Sequence, residues 1–415
     1  MNIKKDKSIK KFGYYGFFKN LKFFEPFLYI FFLNIGFSYF QIGSLISIRE
    51  ITKNIFEVPS GIYADNYGRK TSLQICFVSY IISFVIFYLG NIYLTMVFAM
   101  ILFGIGEAFR SGTHKAIIFN YLDVHGIADL KTKVYGRTKS YSLIGASISA
   151  VIGGFIVFIR SNYRLIFLLS IIPYIIDFIL ISTYPDYLNG KIDKKAGIKE
   201  FINSGVESIK NLFTILTDLR KGIINSGIYD GYFKVLKDYL QPILRAEIMA
   251  VPFLSYISSQ EKRLSILLGF SYAIINLISS YASRNAYKAK RIFKRTNKSL
   301  NVIYLITIII IGAIAATINT VLSYIVIILF LLFYVIRTIR RPIMLDYISG
   351  IIEEKERATM LSIESQFRTI FIIIVAPIMG YIADIWGIKM MFLTAALTMI
   401  VILFLTRLST EKKPS

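Results

Sequence analysis

The sequence predicts an all-α polytopic membrane protein with twelve transmembrane helices in two six-helix pseudo-repeats and with both termini in the cytoplasm. Three observations predict this fold class: a high apolar content, long apolar runs, and connections that alternate in charge. The chain has 415 residues, 55% of them hydrophobic, and a mean hydropathy of +0.60. A bilayer requires internal pairing of every backbone polar group, so spanning segments are helices or closed barrels. The runs are too continuous for barrel strands, which alternate over about ten residues.

The twelve predicted spans follow from apolar windows of about 20 residues read along the chain. The seventh is the weakest, because Asp230, Lys234, Lys237 and Asp238 interrupt it. The spans cover residues 21–38, 42–62, 72–89, 93–119, 138–158, 164–183, 222–243, 263–282, 299–317, 321–343, 360–383 and 388–407.

The connections between these spans alternate in charge. The short or nearly uncharged set includes 34–41, 90–91 and 317–320, with mild exceptions at 160–164 and 245–263. Since basic connections stay in the cytoplasm, both termini belong there, which requires an even number of spans. The formal charge of +23 then reflects orientation and contact with anionic lipid headgroups, and we expect no nucleic acid partner. The basic set consists of both chain termini and of 69–70, 131–139, 191–221 and 284–298.

The longest hydrophilic stretch divides the chain into two groups of six spans. It predicts an N-terminal six-helix bundle over 1–183, a cytoplasmic linker over 184–221 and a C-terminal six-helix bundle over 222–415. Apolar residues at helical spacing within the linker favour an amphipathic helix on the membrane surface, and a plain linker is the alternative. These residues are Ile198, Phe201, Ile202, Val206 and Ile209.

The two halves also resemble each other in sequence. Arg137-x4-Ser142 before span five matches Arg357-x4-Ser362 before span eleven. Such parallel six-helix repeats with a midplane cavity are typical of transporters. Cys76 is the only cysteine, so no intrachain disulfide can form, and we expect neither a metal site nor a cofactor.

The most specific signal lies between spans two and three, where Gly61-Ile-Tyr-Ala-Asp65-Asn-Tyr-Gly68-Arg69-Lys70 forms a polar connection. The glycines allow a tight turn and close approach of helices. Asp65, near the start of span three, can accept backbone N–H groups and pair with a cation. Arg69 and Lys70 hold the loop in the cytoplasm. An ordinary polar turn is the alternative, and the agreement of position, spacing and residue types disfavours it.

This stretch resembles the loop signature of major facilitator superfamily transporters, G-x-x-x-D-x-x-G-R-[KR]. Over residues 21–407 the resemblance implies a twelve-helix fold, alternating access and transport of a small solute. It also implies a cytoplasmic gate motif at Gly61, Asp65, Gly68, Arg69 and Lys70, in which the aspartate and the arginine act as the gate. Two further stretches are similar to the ends of helices 2 and 7 in the family, namely Glu57-Val-Pro-Ser-Gly61 and Tyr239-Leu-Gln241-Pro242. A third resembles a stretch of exporter-like bacterial members, namely Arg357-Ala-Thr-Met-Leu-Ser362.

Two stretches depart from the drug/proton antiporters of that family. Those proteins carry an arginine in helix 4 in the pattern R-x-x-x-G-x-G, whereas Met100 precedes Gly104 and Gly106 in this chain. The helix 5 signature G-x-x-x-G-P-x-x-G-G has Ser149 and Ala150 in place of its glycine–proline pair. The resemblance to the superfamily stands, and the assignment as an antiporter is weakened.

A second stretch, Gly380-Tyr-Ile-Ala-Asp384-Ile-Trp-Gly387-Ile-Lys389, shares the glycines, alanine, aspartate and lysine of the first at equal spacing. The span count places it on the outer side, where a role as cytoplasmic gate does not apply. We therefore expect a turn between two helices there.

Ionisable residues at bilayer depth are costly and usually face a cavity or a partner. At about 100° per residue, Arg49, Glu50, Lys53 and Glu57 fall on one third of the circumference of helix 2. They form either a neutral structural network or a site where a carboxylate loads and unloads a proton. The candidates for proton coupling or substrate binding are Glu50, Glu57, Glu107, Arg110, Asp230, Lys234, Glu364 and Arg368.

The other intramembrane charges have mainly structural interpretations. A fixed Glu107–Arg110 pair is the alternative to a binding role for Glu107. We expect Asp177 in helix 6 to have a structural partner, and Arg337, Arg340 and Arg341 in helix 10 to reach the inner lipid headgroups.

Our hypothesis, which includes the resemblance to the superfamily, is a proton-linked exporter of small amphipathic, drug-like compounds in a bacterial cytoplasmic membrane, acting as a monomer. Proton symport or uniport that imports a small metabolite is the alternative. A non-transporting membrane sensor or enzyme is an alternative of another class, but no nucleophile–base or metal constellation supports catalysis.

Overall fold

The computed structural model describes residues 6–189, 217–247, 256–257, 259–292, 296–320, 322–352 and 357–408. The protein is 89% helical, and the described residues contain no β-strand, so the predicted all-α fold class is confirmed. The apolar residues Ile198 to Ile209 of the predicted surface helix lie outside the described residues.

The first half of the chain contains eight α-helices in its described part. They are α1 (Lys7–Phe18), α2 (Leu28–Asn34), α3 (Tyr39–Tyr67), α4 (Arg69–Leu89), α5 (Tyr93–Arg110), α6 (Thr113–Val124), α7 (Lys131–Arg160) and α8 (Leu165–Ser182).

The second half contains six α-helices in its described part. They are α9 (Thr217–Leu236), α10 (Leu240–Glu247), α11 (Gln260–Ile292), α12 (Thr296–Thr317), α13 (Val326–Ile351) and α14 (Arg357–Leu405).

These elements combine into the twelve predicted helices. Helix 1 is α1 and α2 with a 3-10 turn, Glu25–Phe27, between them; helix 4 is α5 and α6; and helix 7 is α9 and α10. Element α14 is two helices that meet at Gly387, whose φ of 83° lies in the region that favours glycine.

Seven of the described helices are long and apolar enough to cross a membrane by length and composition, and the last of these covers both parts of α14. The others fall short for identifiable reasons. Helix 1 is broken at its 3-10 turn, while α3, α9 and α13 each carry several charged residues within the apolar sequence. The helices that are not apolar enough to be recognised as spans are therefore mainly those with buried charge.

The first helix begins at Lys7 rather than near residue 21, so the whole of α1 precedes the predicted span. Asp6 caps it, because its carboxylate accepts a hydrogen bond from the N–H of Ile9 at 2.9 Å. Gly13 and Gly16 lie directly on Tyr141 and Thr138 of α7. The lysines of this segment hid the helix from a hydropathy window, because they interrupt a face that packs on another helix.

The chain divides into two compact units. The first comprises Met1–Ile35, Ile48–Ile202 and Ile257–Leu277, and the second comprises Gly36–Ser47, Asn203–Tyr256 and Ile278–Ser415. The boundaries of the two bundles and the linker that the sequence suggests stay a prediction.

Aromatic side chains fill the core of the first unit. Phe24 stacks on Phe167 at a centroid distance of 5.1 Å, and Tyr80 meets Phe103 edge to face at 5.0 Å. Gly106 allows this approach, because a Cβ there would lie 3.0 Å from the Tyr80 ring. Burial of large rings contributes most of the apolar stabilisation of this bundle.

In the second unit, α9 packs on α14 through two glycines one turn apart. A side chain at Gly227 would overlap Phe367, and one at Gly231 would overlap Phe371. Small residues at this spacing let membrane helices approach closely. The close approach brings the polar face of α9 onto the charged face of α14.

Candidate functional site

The loop between α3 and α4 is held against the 3-10 turn Asp186–Asn189. Gly68 has a φ of 100°, which requires glycine, and a Cβ there would lie 2.9 Å from the Asn189 side chain. Asn189 Oδ1 accepts the N–H of Lys70 at 3.0 Å, and Lys70 Nζ donates to Tyr184 O and Asp186 Oδ1, both at 3.1 Å. These bonds explain why the motif carries a glycine and a cation at its end.

Asp65 lies in the last turn of α3, rather than at the start of the following helix, and it is exposed. Within the described residues it makes no ion pair or hydrogen bond. A carboxylate at the C-terminal end of a helix faces the negative end of that helix dipole, so α3 itself does not stabilise it. Arg69 Nη1 donates to Ala116 O at 3.3 Å. The gate role of these residues, and that of Gly61, stays a prediction.

The second motif is more than a turn. Asp384 lies in the last turn of the first part of α14, just before the bend at Gly387. Its Oδ1 accepts the N–H of Tyr39 and its Oδ2 accepts the N–H of Phe40, both at 2.8 Å. Asp384 therefore caps the start of α3, a partner that no sequence pattern indicated.

The stripe on α3 divides into separate contacts. Glu50 is buried and lies 3.0 Å from Arg49 Nη2, whereas Glu57 is exposed and accepts a hydrogen bond from Ser111 Oγ at 2.7 Å. Gly104 of α5 makes room for this face, since a Cβ there would lie 2.8 Å from the Arg49 carbonyl oxygen.

Glu107 and Arg110 of α5 lie on one face, as predicted, with 3.9 Å between Oε1 and Nη2. This distance is long for a fixed pair, and Arg110 also donates to the Tyr80 hydroxyl at 3.4 Å. The positive charges that act on Glu107 are those of Arg49, Lys22, Lys53 and Arg110. The first unit thus places bases of α3, of α5 and of the segment between α1 and α2 near this carboxylate.

The second unit contains a denser charged network around Asp230 and Glu364, which are 3% and 0% exposed. Arg341 joins the two carboxylates. Its Nη1 lies 3.0 Å from Asp230 Oδ2 and 2.8 Å from Glu364 Oε1, and its Nη2 lies 3.0 Å from Glu364 Oε2. A guanidinium that binds a carboxylate through two parallel bonds is among the stronger ion-pair geometries.

Two further arginines complete the network. Arg337 Nε lies 3.1 Å from Asp230 Oδ1, and Arg368 Nη1 lies 3.5 Å from Glu364 and 3.8 Å from Asp230. Helices α9, α13 and α14 therefore meet at two buried carboxylates that three arginines share. All three arginines are between one fifth and about one third exposed, so the protein does not fully enclose the network.

Arg340 is a fourth arginine beside this network and is 1% exposed. Its guanidinium lies 3.9 Å from the centroid of the Tyr229 ring and donates to Asn225 Oδ1 at 2.5 Å. The expectation that Arg337, Arg340 and Arg341 reach lipid headgroups is wrong, because their partners lie on α9 and α14. Their spacing of three and four residues, which places them on one face of α13, was the signal that could have shown this.

The remaining candidates lie in different surroundings. Lys234, one turn from Asp230, is half-buried, but the carboxylate pairs with the arginines of α13 and α14 instead. Asp177 was expected to have a structural partner. It is fully buried, and neither carboxylate oxygen has a hydrogen-bond partner within the described residues.

Helices of membrane-spanning length with charged networks among them are the architecture of a polytopic membrane protein. The family model of the Major Facilitator Superfamily matches residues 13–339. The chain belongs to the major facilitator superfamily and is a multi-pass, alternating-access transporter.

A curated relative is an uncharacterized MFS-type transporter, YxaM of Bacillus subtilis (strain 168). It is 21% identical over 387 residues, which cover 91% of this chain and 89% of the relative. Among solved structures, the nucleoside transporter NupG has a TM-score of 0.74 at 14% identity, covering 98% of this chain and 98% of that one.

Two other solved transporters share the fold. A bacterial homologue of the human lysosomal transporter Spinster has a TM-score of 0.72 at 14% identity, covering 98% of this chain and 97% of that one. A D-xylose-proton symporter has a TM-score of 0.63 at 16% identity, covering 97% and 98%. These likenesses show the fold.

Proposed function

We propose that the protein couples the movement of protons to the transport of a small amphipathic solute and exports that solute across a bacterial cytoplasmic membrane. The observation that carries the proposal is the pair of buried carboxylates, Asp230 and Glu364, that share Arg341. Charged groups at bilayer depth are costly, so they pair with each other or face a water-filled cavity, and they often mark transport pathways. The bonds that this arginine makes to a carboxylate weaken when that carboxylate takes up a proton.

Proton uptake would change the ion pairs that join helices α9, α13 and α14. A protonated Glu364 keeps its hydrogen bond from Ser226 Oγ, now 2.9 Å away, but loses the charge that holds Arg341 through two bonds. Asp230 is then the anionic partner that still holds the arginine. A change in ion pairing between three helices shifts the populations of inward and outward states by its differential energy in the two states.

The loop between α3 and α4 would act as the cytoplasmic gate. Asp65 is exposed at the C-terminal end of α3, where a carboxylate gains nothing from its own helix dipole. It is therefore available to a cation or a helix N-terminus in another conformational state. Gly68 and Lys70 would keep the loop in position through their contacts with Asn189.

Export is the proposed direction because 357–362 resembles a stretch of exporter-like members of the family. Import by proton symport is the alternative. Its support is a fold shared with a D-xylose-proton symporter and a nucleoside transporter. A uniporter would have no coupling ion, and a sensor or membrane enzyme would move no solute.

The test is flux into proteoliposomes with an imposed pH gradient or none, followed with ethidium, fluorescein, uridine and D-xylose as probes. Proton-linked transport predicts a rate that rises with the gradient for at least one probe and is lost in Asp230→Asn and Glu364→Gln. Asp129→Asn, which neutralises an exposed carboxylate, is the matched control. Equal rates with and without the gradient would exclude coupling, and the sign of the gradient that drives uptake gives the direction.

A separate variant tests the gate. Asp65→Asn should slow flux of the same probe while membrane insertion stays normal, and unchanged flux would count against a gate at this residue. We also propose that the protein works as a monomer in contact with anionic lipids. Size-exclusion chromatography with light scattering in a mild detergent would check the monomer.

A further inference from the structure

A basic cavity of about 160 Å³ lies within the first unit, apart from the charged network around Asp230. Helices α1, α6 and α7 and the end of α5 surround it. One water needs about 10–15 Å³ of such space, so the cavity has room for a multi-atom ion or group. Its lining consists of Tyr15, Gly16, Lys19, Arg110, Gly112, His114, Lys115, Tyr135, Thr138, Lys139 and Ser142.

The charge of this lining is one-sided. Four basic residues contribute, and no residue of the lining, all of which is described, is a carboxylate. Lys19 and Arg110 are half-buried deeper in the cavity, while Lys115 and Lys139 are exposed at its rim. Cations held this close repel one another, and a bound anion removes that repulsion.

The structure positions these cations. Lys115 Nζ lies over the rings of Phe119 and Tyr135, 5.2 and 5.7 Å from their centroids. Arg110 is tied to the Tyr80 hydroxyl. The rings and the hydroxyl restrict both side chains, so a ligand would meet a preformed arrangement of charge.

Backbone donors add to the charge. Helix α6 begins here after Gly112, whose φ is 73°, and the N–H groups of its first turn have no partner within the helix. Helix N-termini are favourable places for oxyanions. Tyr15 contributes its ring to the lining, stacked on His114 at a centroid distance of 3.6 Å.

We propose that this cavity binds an oxyanion, a phosphate or phosphate-like group, either as a free solute or as the headgroup of an anionic lipid. The site depends on neither the direction nor the coupling of transport. Lys19, directly after the end of α1, and Lys139 of α7 would both contact the anion. The first turn of α6 would donate hydrogen bonds.

The experiment measures binding to the purified full-length chain in neutral detergent at constant ionic strength. Inorganic phosphate is titrated while the melting temperature is followed, and native mass spectrometry compares retention of phosphatidylglycerol and phosphatidylcholine. We expect phosphate to raise the melting temperature, or phosphatidylglycerol to be retained in preference. Displacement of that lipid by phosphate would identify one shared site, and retention without displacement would identify the headgroup as the ligand.

Matched variants make the result specific. Lys19→Gln with Lys139→Gln should weaken binding at least about tenfold, because each removed charge-assisted bond is worth about one order of magnitude. Lys7→Gln with Lys10→Gln removes the same charge from exposed lysines of α1 outside the cavity and should bind as the unchanged chain does. Lys19→Arg with Lys139→Arg keeps the charge and should retain binding. Absence of both phosphate and phosphatidylglycerol binding, or equal binding by the two glutamine pairs, would overturn the proposal.

Discussion

Replacement of Arg341 by glutamine should destabilise the second unit, because this arginine joins two buried carboxylates. Removal of one partner from a buried ion pair costs about 3–5 kcal/mol. Here the loss is partly offset, since Asp230 keeps Arg337 at 3.1 Å and Glu364 keeps Arg368 at 3.5 Å and the Ser226 hydroxyl. We therefore expect a loss of about 2–3 kcal/mol, which is below that range.

A double-mutant cycle isolates this interaction. The free energy of unfolding is measured in bicelles by steric trapping for the unchanged chain, Arg341→Gln, Glu364→Gln and the double variant. Because the glutamine at 364 no longer needs a positive partner, the two changes together should cost less than their sum, by about 1.5–3 kcal/mol. Arg407→Gln, at an exposed arginine, is the control and should stay within about 0.5 kcal/mol of the unchanged chain.

The outcome that refutes this reasoning is a coupling energy below about 0.5 kcal/mol, which is the level of exposed pairs. Such a value would mean that the two bonds between Arg341 and Glu364 do not persist in the membrane. It would also remove the physical basis for proton-controlled release of the arginine.

Three other predictions concern single residues. Asp177→Asn should leave the free energy of unfolding within about 1 kcal/mol of that of the unchanged chain, because the buried carboxyl has no partner to lose among the described residues. Asp230→Asn should lower the free energy of unfolding by more than about 2 kcal/mol. Thermal melts of both variants check this. Asp384→Ala should cost about 1 kcal/mol, as loss of a helix cap does, and should speed hydrogen exchange at the N–H groups of Tyr39 and Phe40; unchanged exchange would contradict the cap. Gly380→Ala should cost about 1–3 kcal/mol, since its Cβ would overlap the Tyr39 carbonyl, and a melting temperature equal to that of the unchanged chain would show that the start of α3 and α14 can separate freely.

The sequence was sufficient for the class of fold, because the bilayer imposes a strong local rule. Each apolar run of about 20 residues must form a helix, whatever its neighbours are. The same rule predicts helix positions and partners less well where charged residues stand in place of apolar ones. The lysines of α1 hid the start of helix 1, and the arginines of α13 were assigned to headgroups although they pair inside the second unit.

The candidate site was predicted in part. Glu364 and Arg368 on one face of α14, and Glu107 and Arg110 on one face of α5, follow from helical spacing alone and do lie near each other. Partners on other helices do not follow from spacing. The joining of Asp230 to Arg341 depends on how α9 packs between α13 and α14, which the sequence does not state.

The sequence by itself determined the helices, their number and the polar loop at Gly68, because backbone pairing in lipid and the conformational freedom of glycine are local properties. Only the tertiary structure decided which charges meet: Asp384 with the start of α3, Arg341 with two carboxylates, and four cations around one cavity. The physical reason is distance. An electrostatic contact depends on a few ångströms between side chains that lie far apart along the chain, and helix packing sets that separation.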